Sequence, residues 1–598
     1  MITELLLHRS SGYTWTLTNK KMTNMKNEIT LFIIILFLVT GCADKKENNI
    51  KDISLSPSVM CAPITTDKEW YKSDKEAPLF KGLDVLNFPI STNNELVQKY
   101  FNQGLILAYG FNHAEAARSF YYATKLDSTC AMAYWGYAYV LGPNYNAGME
   151  NDNYERAYNA LQKALELSSK NCTLKEKALI NALSKRYVKE PIDNRYPLDI
   201  AYSEALKSVF KDFQDDADIG TLYGESLMNL HPWDLWTHEG EPKEWTPKIL
   251  DVFKQVFSVT PKHAGAHHLY IHAVEASSKP ERGLYSAQLF DEGLVPAAGH
   301  LLHMPSHIYI RTGDYHKGTL SNVRAIEADS TYLTACHAQG AYPLTLYPHN
   351  YHFMAATATL EGNSELGIMA ANKVAANSNR QLMKEPGWGT IQHYYTIPYY
   401  VNVKFGKWNE ILKMKNEGVS LKYPDAVRHY ARGMAFLGLG EMGNAKSELD
   451  SLENNANDES LKEVTIWDFN NTHQLLQIAK RVLEGEILAS ENNFEASINL
   501  LSEAVELEDA LAYQEPPDWF FSVRHHLGAI QIEAKKYQDA IKTYEEDLER
   551  LPKNGWALHG LRLAYSELKE KNKVSELSDK LDEIWATADI ELSNSRIK

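Results

Sequence analysis

From Asn94 onward, apolar residues of this 598-residue chain recur at helical spacing, and strand signals are almost absent. The pattern returns about every 34 residues, and this regularity restricts the fold more than any other feature. Small and large side chains hold fixed places within it. Gly104, Ala116, Phe120 and Ala123 mark one unit, and Ala157, Leu161 and Ala164 mark the second helix of the next. Gly433, Ala445 and Leu449 mark a later unit, Gly485, Phe494, Leu501 and Ala504 another, and Gly528, Ala540, Tyr544 and Pro552 one near the end. A small residue lets two helices approach, and a large one fills the gap beside it. One hairpin cannot bury its apolar stripe alone, so the units must stack into an all-α solenoid of about ten to twelve hairpins, several of them irregular. Residues 174–215 are helical but fit the repeat poorly. Pro232, Gly240, Pro242 and Pro247 predict that residues 233–245 form a loop inserted between the helices of one hairpin.

Residues 261–311 concentrate histidine. His268, His272 and Glu275 stand at i, i+4 and i+7, and His300, His303 and His307 at i, i+3 and i+7. On a helix each set shares one face. His349 and His352 follow at i, i+3. Imidazole is the commonest metal-ligating side chain. Neutral imidazoles with one carboxylate suit zinc, iron, manganese or copper, and the full set has ligands enough for two ions. Glu275 and Glu225 are the candidate bases beside a metal-bound water. The other reading is a groove in which the histidines and Arg311 hold an anionic group between Tyr270 and Tyr309. A single buried histidine is more often a hydrogen-bonded core residue than a ligand. His267, next to His268, cannot share its face and is expected behind the site or at the surface. His316 is expected to face solvent. The segment from His231 to Trp236 reads as a packed loop before it reads as a lid, and Glu515 to Trp519 as a turn opening the hairpin at Phe521.

The period and the placing of small residues resemble tetratricopeptide repeats. That resemblance implies that positions 2, 5, 9, 12 and 13 of each first helix line a concave groove. With Gly283 at position 20, His268, His272 and Glu275 fall at 5, 9 and 12. With Gly318 there, His300, His303, His307 and Arg311 fall at 2, 5, 9 and 13. With Gly367 there, His349 and His352 fall at 2 and 5, and a looser alignment puts His393 at position 2 of the next hairpin. Gly224 at position 8 puts Glu225 at 9. Neighbouring repeats would then aim imidazole or carboxylate into one groove.

The N-terminus bears on the compartment. The run ITLFIIILFLVT, residues 29–40, follows Lys20, Lys21 and Lys26. It is too short to span a bilayer and fits a signal-peptide core. Leu38-Val39-Thr40-Gly41-Cys42 resembles the bacterial lipobox, which implies cleavage before Cys42 and its lipidation. The expected organisation is a signal peptide over 1–41, with Met22 or Met25 as alternative starts, and a lipidated cysteine and tether over 42–69. An N-terminal extension follows over 70–93, hairpins with an inserted loop over 94–260, His-rich hairpins over 261–380, and C-terminal hairpins over 381–598. Such a chain would be a cell-envelope lipoprotein, in the periplasm or at the outer membrane, held through its lipid.

A net charge of −16 argues against nucleic acid as a partner. The five cysteines show no metal-finger or CxxC spacing. HExxH, GxSxG, Walker A, Rossmann and EF-hand patterns are absent. The stretches FNQGLILAYGFNHAEAARSF (101–120), AYWGYAYVLGPNYN (133–146), HHLYIHAVEAS (267–277), GHLLHMPSHIYIRTGDY (299–315) and YPHNYHF (347–353) resemble a family of bacterial tetratricopeptide-repeat proteins with no established activity. The resemblance runs over about residues 77–568 and implies a helical solenoid, but it supplies no substrate. Two functional readings follow. One is a metal-binding solenoid, extending to a metal-dependent enzyme. Its nearest ligands would be His268, His272, His303 and His307, supported by Glu275, His300, His349 and His352. The other is an interaction scaffold that captures a peptide or protein in the groove, with neither metal nor catalysis. The first requires the imidazoles to converge, and the second leaves them spread along an open groove.

Overall fold

The structure, a computed structural model, describes residues 68–598 apart from 74, 337–341 and 416–419. The expected signal peptide, Cys42 and the tether lie outside the described residues. Among those residues the fold is an array of helical hairpins, with the two-residue strands Thr465–Ile466 and Asn470–Asn471 paired antiparallel. The helices begin where the sequence offers caps. Asn94 accepts from the amides of Leu96 and Val97, and Thr173 with Glu176 forms a reciprocal capping box.

The hairpins close as the repeat predicts. A methyl group at Gly104 would meet the Phe120 ring at 2.8 Å and one at Gly485 would meet Leu501 at 2.9 Å; Gly528 likewise lies against the Tyr544 ring. Each pair is the small and large residue of one unit. The buried core runs without a break from Trp70 to Tyr309, and each fully buried Phe, Leu or Ile in it contributes about 1.5–3 kcal/mol. Residues before Asn94 join that core. Leu83 and Phe88 are buried, and Tyr100 donates to the Ala77 carbonyl at 2.6 Å.

The array coils back on itself. Gly265 admits the Tyr109 ring against the helix Ala264–Val274. Much later in the chain, Trp556 Nε1 donates to the Thr359 carbonyl at 2.9 Å, and Asp589 accepts from the amides of Ser364 and Glu365 at 2.7 and 2.9 Å. The loop expected over 233–245 is present but starts earlier: residues 229–245 connect the helices Ala217–Met228 and Thr246–Val259. The segment 510–523 is irregular and its hairpin begins at Arg524, not at Phe521.

Candidate metal centre

Three stretches of helix bring the imidazoles together. His268 and His272 lie one turn apart on Ala264–Val274, with Glu275 at its end. His300 and His303 stand on Gly299–His303, and His307 on Pro305–Thr312. Met304 keeps helical angles between them, while Pro305 removes one backbone donor at the junction. His349 comes from Tyr347–Leu360. All six imidazoles and Glu275 are buried.

Their ligand atoms form close sets: His268 with His272 and His300, His303 with His307 and His349, and His272 with Glu275 and His307. His268 Nε2 lies 3.1 Å from His300 Nε2, and His303 Nε2 lies 2.9 Å from His307 Nε2. Glu275 Oε1 is 2.9 Å from His272 Nδ1, and its Oε2 is 2.6 Å from His307 Nδ1. Glu515 Oε2 stands 3.1 Å from the same His307 Nδ1.

The surroundings fix the tautomers. His268 Nδ1 faces the Tyr109 carbonyl, which can only accept. His303 Nδ1 faces Asn322 Oδ1 at 2.8 Å, and the Asn322 amide is oriented by donating Nδ2 to the Gly318 carbonyl. Ser306 gives its hydroxyl proton to the His303 carbonyl, so at 3.2 Å it too can only accept from Nδ1. His272 Nδ1 donates to Glu275. The angles at His307 Nδ1 depart from ideal hydrogen bonding, yet two carboxylates this close require a proton there. Four imidazoles thus carry a proton on Nδ1, and His268, His272 and His303 among them turn an Nε2 lone pair inward. His272 Nε2 is buried with no protein partner.

Electrostatics follow from this packing. Burial first, and neighbouring imidazoles second, hold His268, His300, His303 and His349 well below the ordinary histidine range. Burial also lowers His272, with Glu275 opposing it. At His307 burial is outweighed by Glu275 and Glu515, which push it up to about 9. Burial acts to raise the Glu275 carboxyl, but His307 and His272 outweigh it and leave it below the carboxylate range. Glu515 is raised, chiefly by burial. Without a metal, a proton on His307 Nε2 separates its nitrogen from the bare His303 Nε2. A cation at that place would take over the proton's role.

The cluster forms one wall of a cavity of about 620 Å³. His272, His300, His307, His349 and Glu515 line it together with Phe111, Tyr145, Trp233, Trp467 and Phe469. Phe111 stacks on His272 at 5.8 Å, and Trp233 meets His272 edge-on at 5.5 Å. The loop from His231 to Trp236 therefore supplies a wall of the cavity as well as packing. Of these aromatic walls the sequence singled out only Trp233, in the segment read first as a packed loop and second as a lid; Phe111, Tyr145, Trp467 and Phe469 were not expected, and neither was Glu515, whose segment reads as a plain turn. Tyr513 donates to Glu515 Oε1, completing its orientation.

Several expected site residues stand elsewhere. His352 is outside the three sets; its ring stacks on Phe520 at 5.0 Å and approaches His393 at 5.7 Å. His393 pairs with the Tyr423 hydroxyl at 2.8 Å. Tyr270 packs on Phe253 and Phe257, and Tyr309 donates to Asp291 at 2.6 Å, so neither walls the site. Each is two residues, about 200° of helix, from the histidine it was expected to flank. Arg311 sits over the Tyr513 ring and donates to the Ser277 carbonyl at 3.3 Å. Glu225 accepts from the Tyr139 hydroxyl and has no histidine among its partners. Glu275 is no free base, because both its oxygens engage imidazoles. His267 is buried and satisfied by Ser286 and the Pro261 carbonyl, each at 2.8 Å. His316 is half-exposed and paired with Glu361 at 2.7 Å.

Fold and site together define an all-α helical-hairpin array with a buried six-histidine cluster. No family model matches the chain, and no curated protein matches it in sequence. Among solved structures, human IFIT1, a dimer with PPP-AAAA, is 13% identical over 84% of this chain and 94% of its own, with a TM-score of 0.29. The APC/C hetero-tetramer Cut9-Hcn1 is 12% identical over 85% and 77%, with a TM-score of 0.28. The P58(IPK) TPR domain is 14% identical over 80% and 99%, with a TM-score of 0.20. Similarity at this level carries no argument about binding or chemistry.

Proposed function

We propose that this chain is a metalloprotein. Its histidine cluster binds a transition metal on the wall of the 620 Å³ cavity, where a small molecule can reach the ion. The observation that carries this reading is the set of imidazoles with Nδ1 tied to fixed acceptors and Nε2 turned toward common points. Partners of this kind, one shell out from a metal, orient ligating histidines and raise their basicity. Enzymatic use of the ion would place the substrate between the aromatic walls. The alternative is a scaffold that captures a peptide or protein in the groove with neither metal nor catalysis; it would leave the imidazoles spread along the groove, whereas six of them gather into close sets. The lipobox-like residues ending at Cys42 add a lipid anchor in the cell envelope to this reading. Among the described residues no helix is long and apolar enough to cross a membrane.

The test is metal content, measured by mass spectrometry on chain purified without a polyhistidine tag, beside a His268→Ala, His307→Ala double variant. Near-stoichiometric metal that the variant loses is the expected result. No metal in the parent chain, even after reconstitution at neutral pH, would sink the reading.

A further inference from the structure

The six imidazoles fall into two sets of three, and the division has a physical basis. His268, His272 and His300 converge in one set, and His303, His307 and His349 in the other. Each set contains a close Nε2 pair, at 3.1 Å in the first and 2.9 Å in the second. Two nitrogens on one ion at about 2.0–2.1 Å each stand roughly 3 Å apart or slightly more. Each pair is therefore already spaced as ligands of its own ion. The sets adjoin: the His272 and His307 rings are 5.4 Å apart, and the His300 and His303 rings 5.7 Å.

Glu275 joins the sets. One of its oxygens holds His272 of the first and the other holds His307 of the second. With Glu515 it places two carboxyl groups within 3.1 Å of His307 Nδ1. Both sets also open on one space, since His272 and His300 of the first and His307 and His349 of the second line the same cavity.

We propose that the centre is dinuclear, with one ion in each three-imidazole set and Glu275 fixing a ligand of both. The proposal rests on the metal reading above and goes beyond it in stoichiometry, ligand type and use. The donors are imidazole nitrogens without thiolate, and the carboxylates are turned to the Nδ1 side of the rings. Such donors favour copper or zinc over magnesium, calcium or manganese. Ions so placed would stand side by side at the cavity wall. Their free coordination positions would face one small molecule, which could bridge them or be polarised by one ion while the other holds its reacting partner.

The experiment uses the full-length chain without a polyhistidine tag, loaded separately with Zn(II) and Cu(I) and freed of excess ion. Metal per chain is measured by mass spectrometry and the ions' surroundings by X-ray absorption. The expected result is two equivalents, a first shell of nitrogen at about 2.0–2.1 Å and a second metal at about 3.5–4 Å. His268→Gln with His300→Gln, and separately His303→Gln with His349→Gln, should each leave one equivalent. One equivalent in the parent chain with no metal–metal distance would overturn the dinuclear proposal and leave the metal reading standing. No metal in a parent chain shown to be folded by circular dichroism would end both. The parent measurements decide the matter even if a double variant fails to fold.

Discussion

Glu275 offers the sharpest test of how the cluster is held. It is fully buried, and each carboxylate oxygen serves a different imidazole, at 2.9 Å for His272 and 2.6 Å for His307. Glu275→Gln keeps one acceptor oxygen and replaces the other by an NH2 group, which cannot accept from an imidazole N–H. One of the two rings must then change tautomer or turn. Losing one orienting partner of a ligand typically costs about 10–100-fold in metal affinity, or about 1.4–2.7 kcal/mol. Glu275→Leu removes both acceptors, so its loss should approach the product, about 10²–10⁴-fold, if the rings act independently. The assay is competition for Zn(II) against a chromophoric chelator at pH 7.5, ranking parent, Gln and Leu forms. Circular dichroism and a urea midpoint on the metal-free forms control for folding, since each orphaned N–H also costs about 1–3 kcal/mol. A folded Glu275→Leu chain that binds Zn(II) within about threefold of the parent, well short of the expected decade, would refute the role assigned to this carboxylate.

Three further outcomes are expected. Burial alone lowers His393 to about 3. It is neutral when folded but takes a proton below about 6.5 when unfolded, so its stability contribution is complete above pH 6.5 and is lost as pH falls from there toward 3. At pH 5.5 the parent should therefore have lost about 1.4 kcal/mol relative to His393→Phe, read from urea midpoints at pH 7.5 and 5.5; parallel pH profiles would contradict a neutral buried ring. Gly104→Ala pushes a methyl group to 2.8 Å from Phe120 and should destabilise by about 1–2 kcal/mol after its helix-propensity gain. At Gly443, where nothing stands within 4 Å, the same change should stabilise by about 0.5–1 kcal/mol; equal effects at the two sites would count against close hairpin packing. Cys42→Ser should abolish labelling by a radioactive fatty acid and release the chain from membranes, and unchanged labelling would rule out the anchor.

Helical periodicity carried most of what the sequence disclosed. His268, His272 and Glu275 share a face because four and three residues each make nearly one turn, and the repeat register aimed that face at the neighbouring histidines. The Gly104–Phe120 and Gly528–Tyr544 contacts were legible for the same reason, since both residues of each pair lie within one unit. His352 shows where the rule weakens. His352 stands three residues from His349, as His303 does from His300, yet its ring stacks on Phe520, so helical spacing alone does not decide which residues converge. Glu515 was illegible for a different reason. It lies more than 200 residues beyond His307, in a segment with no periodicity, and reaches the cluster only because the array coils back on itself. Asn322, on the helix Tyr315–Cys336, fixes the His303 tautomer through a polar side chain that no motif marks.

Backbone strain points to the same cavity. Asn492, Lys535, Lys553 and Lys569 have positive φ just past helix ends, where a left-handed residue is an ordinary terminator. Phe111, two residues past the helix Glu95–Tyr109, has positive φ for the same reason; Trp233, Trp467 and Asp468 have it within loops, and these four line the 620 Å³ cavity, whereas Ser420, also at positive φ, does not. A left-handed conformation costs a non-glycine residue of order 1–2 kcal/mol, a cost that glycine at these positions would avoid. At Phe111, Trp233 and Trp467 glycine would also remove the rings that stack on or abut His272 and His349. The strain is thus the consequence of holding large aromatic faces at turns around the imidazoles. Such outliers persist where the surrounding structure over-determines them, and these line the space that the histidine cluster faces.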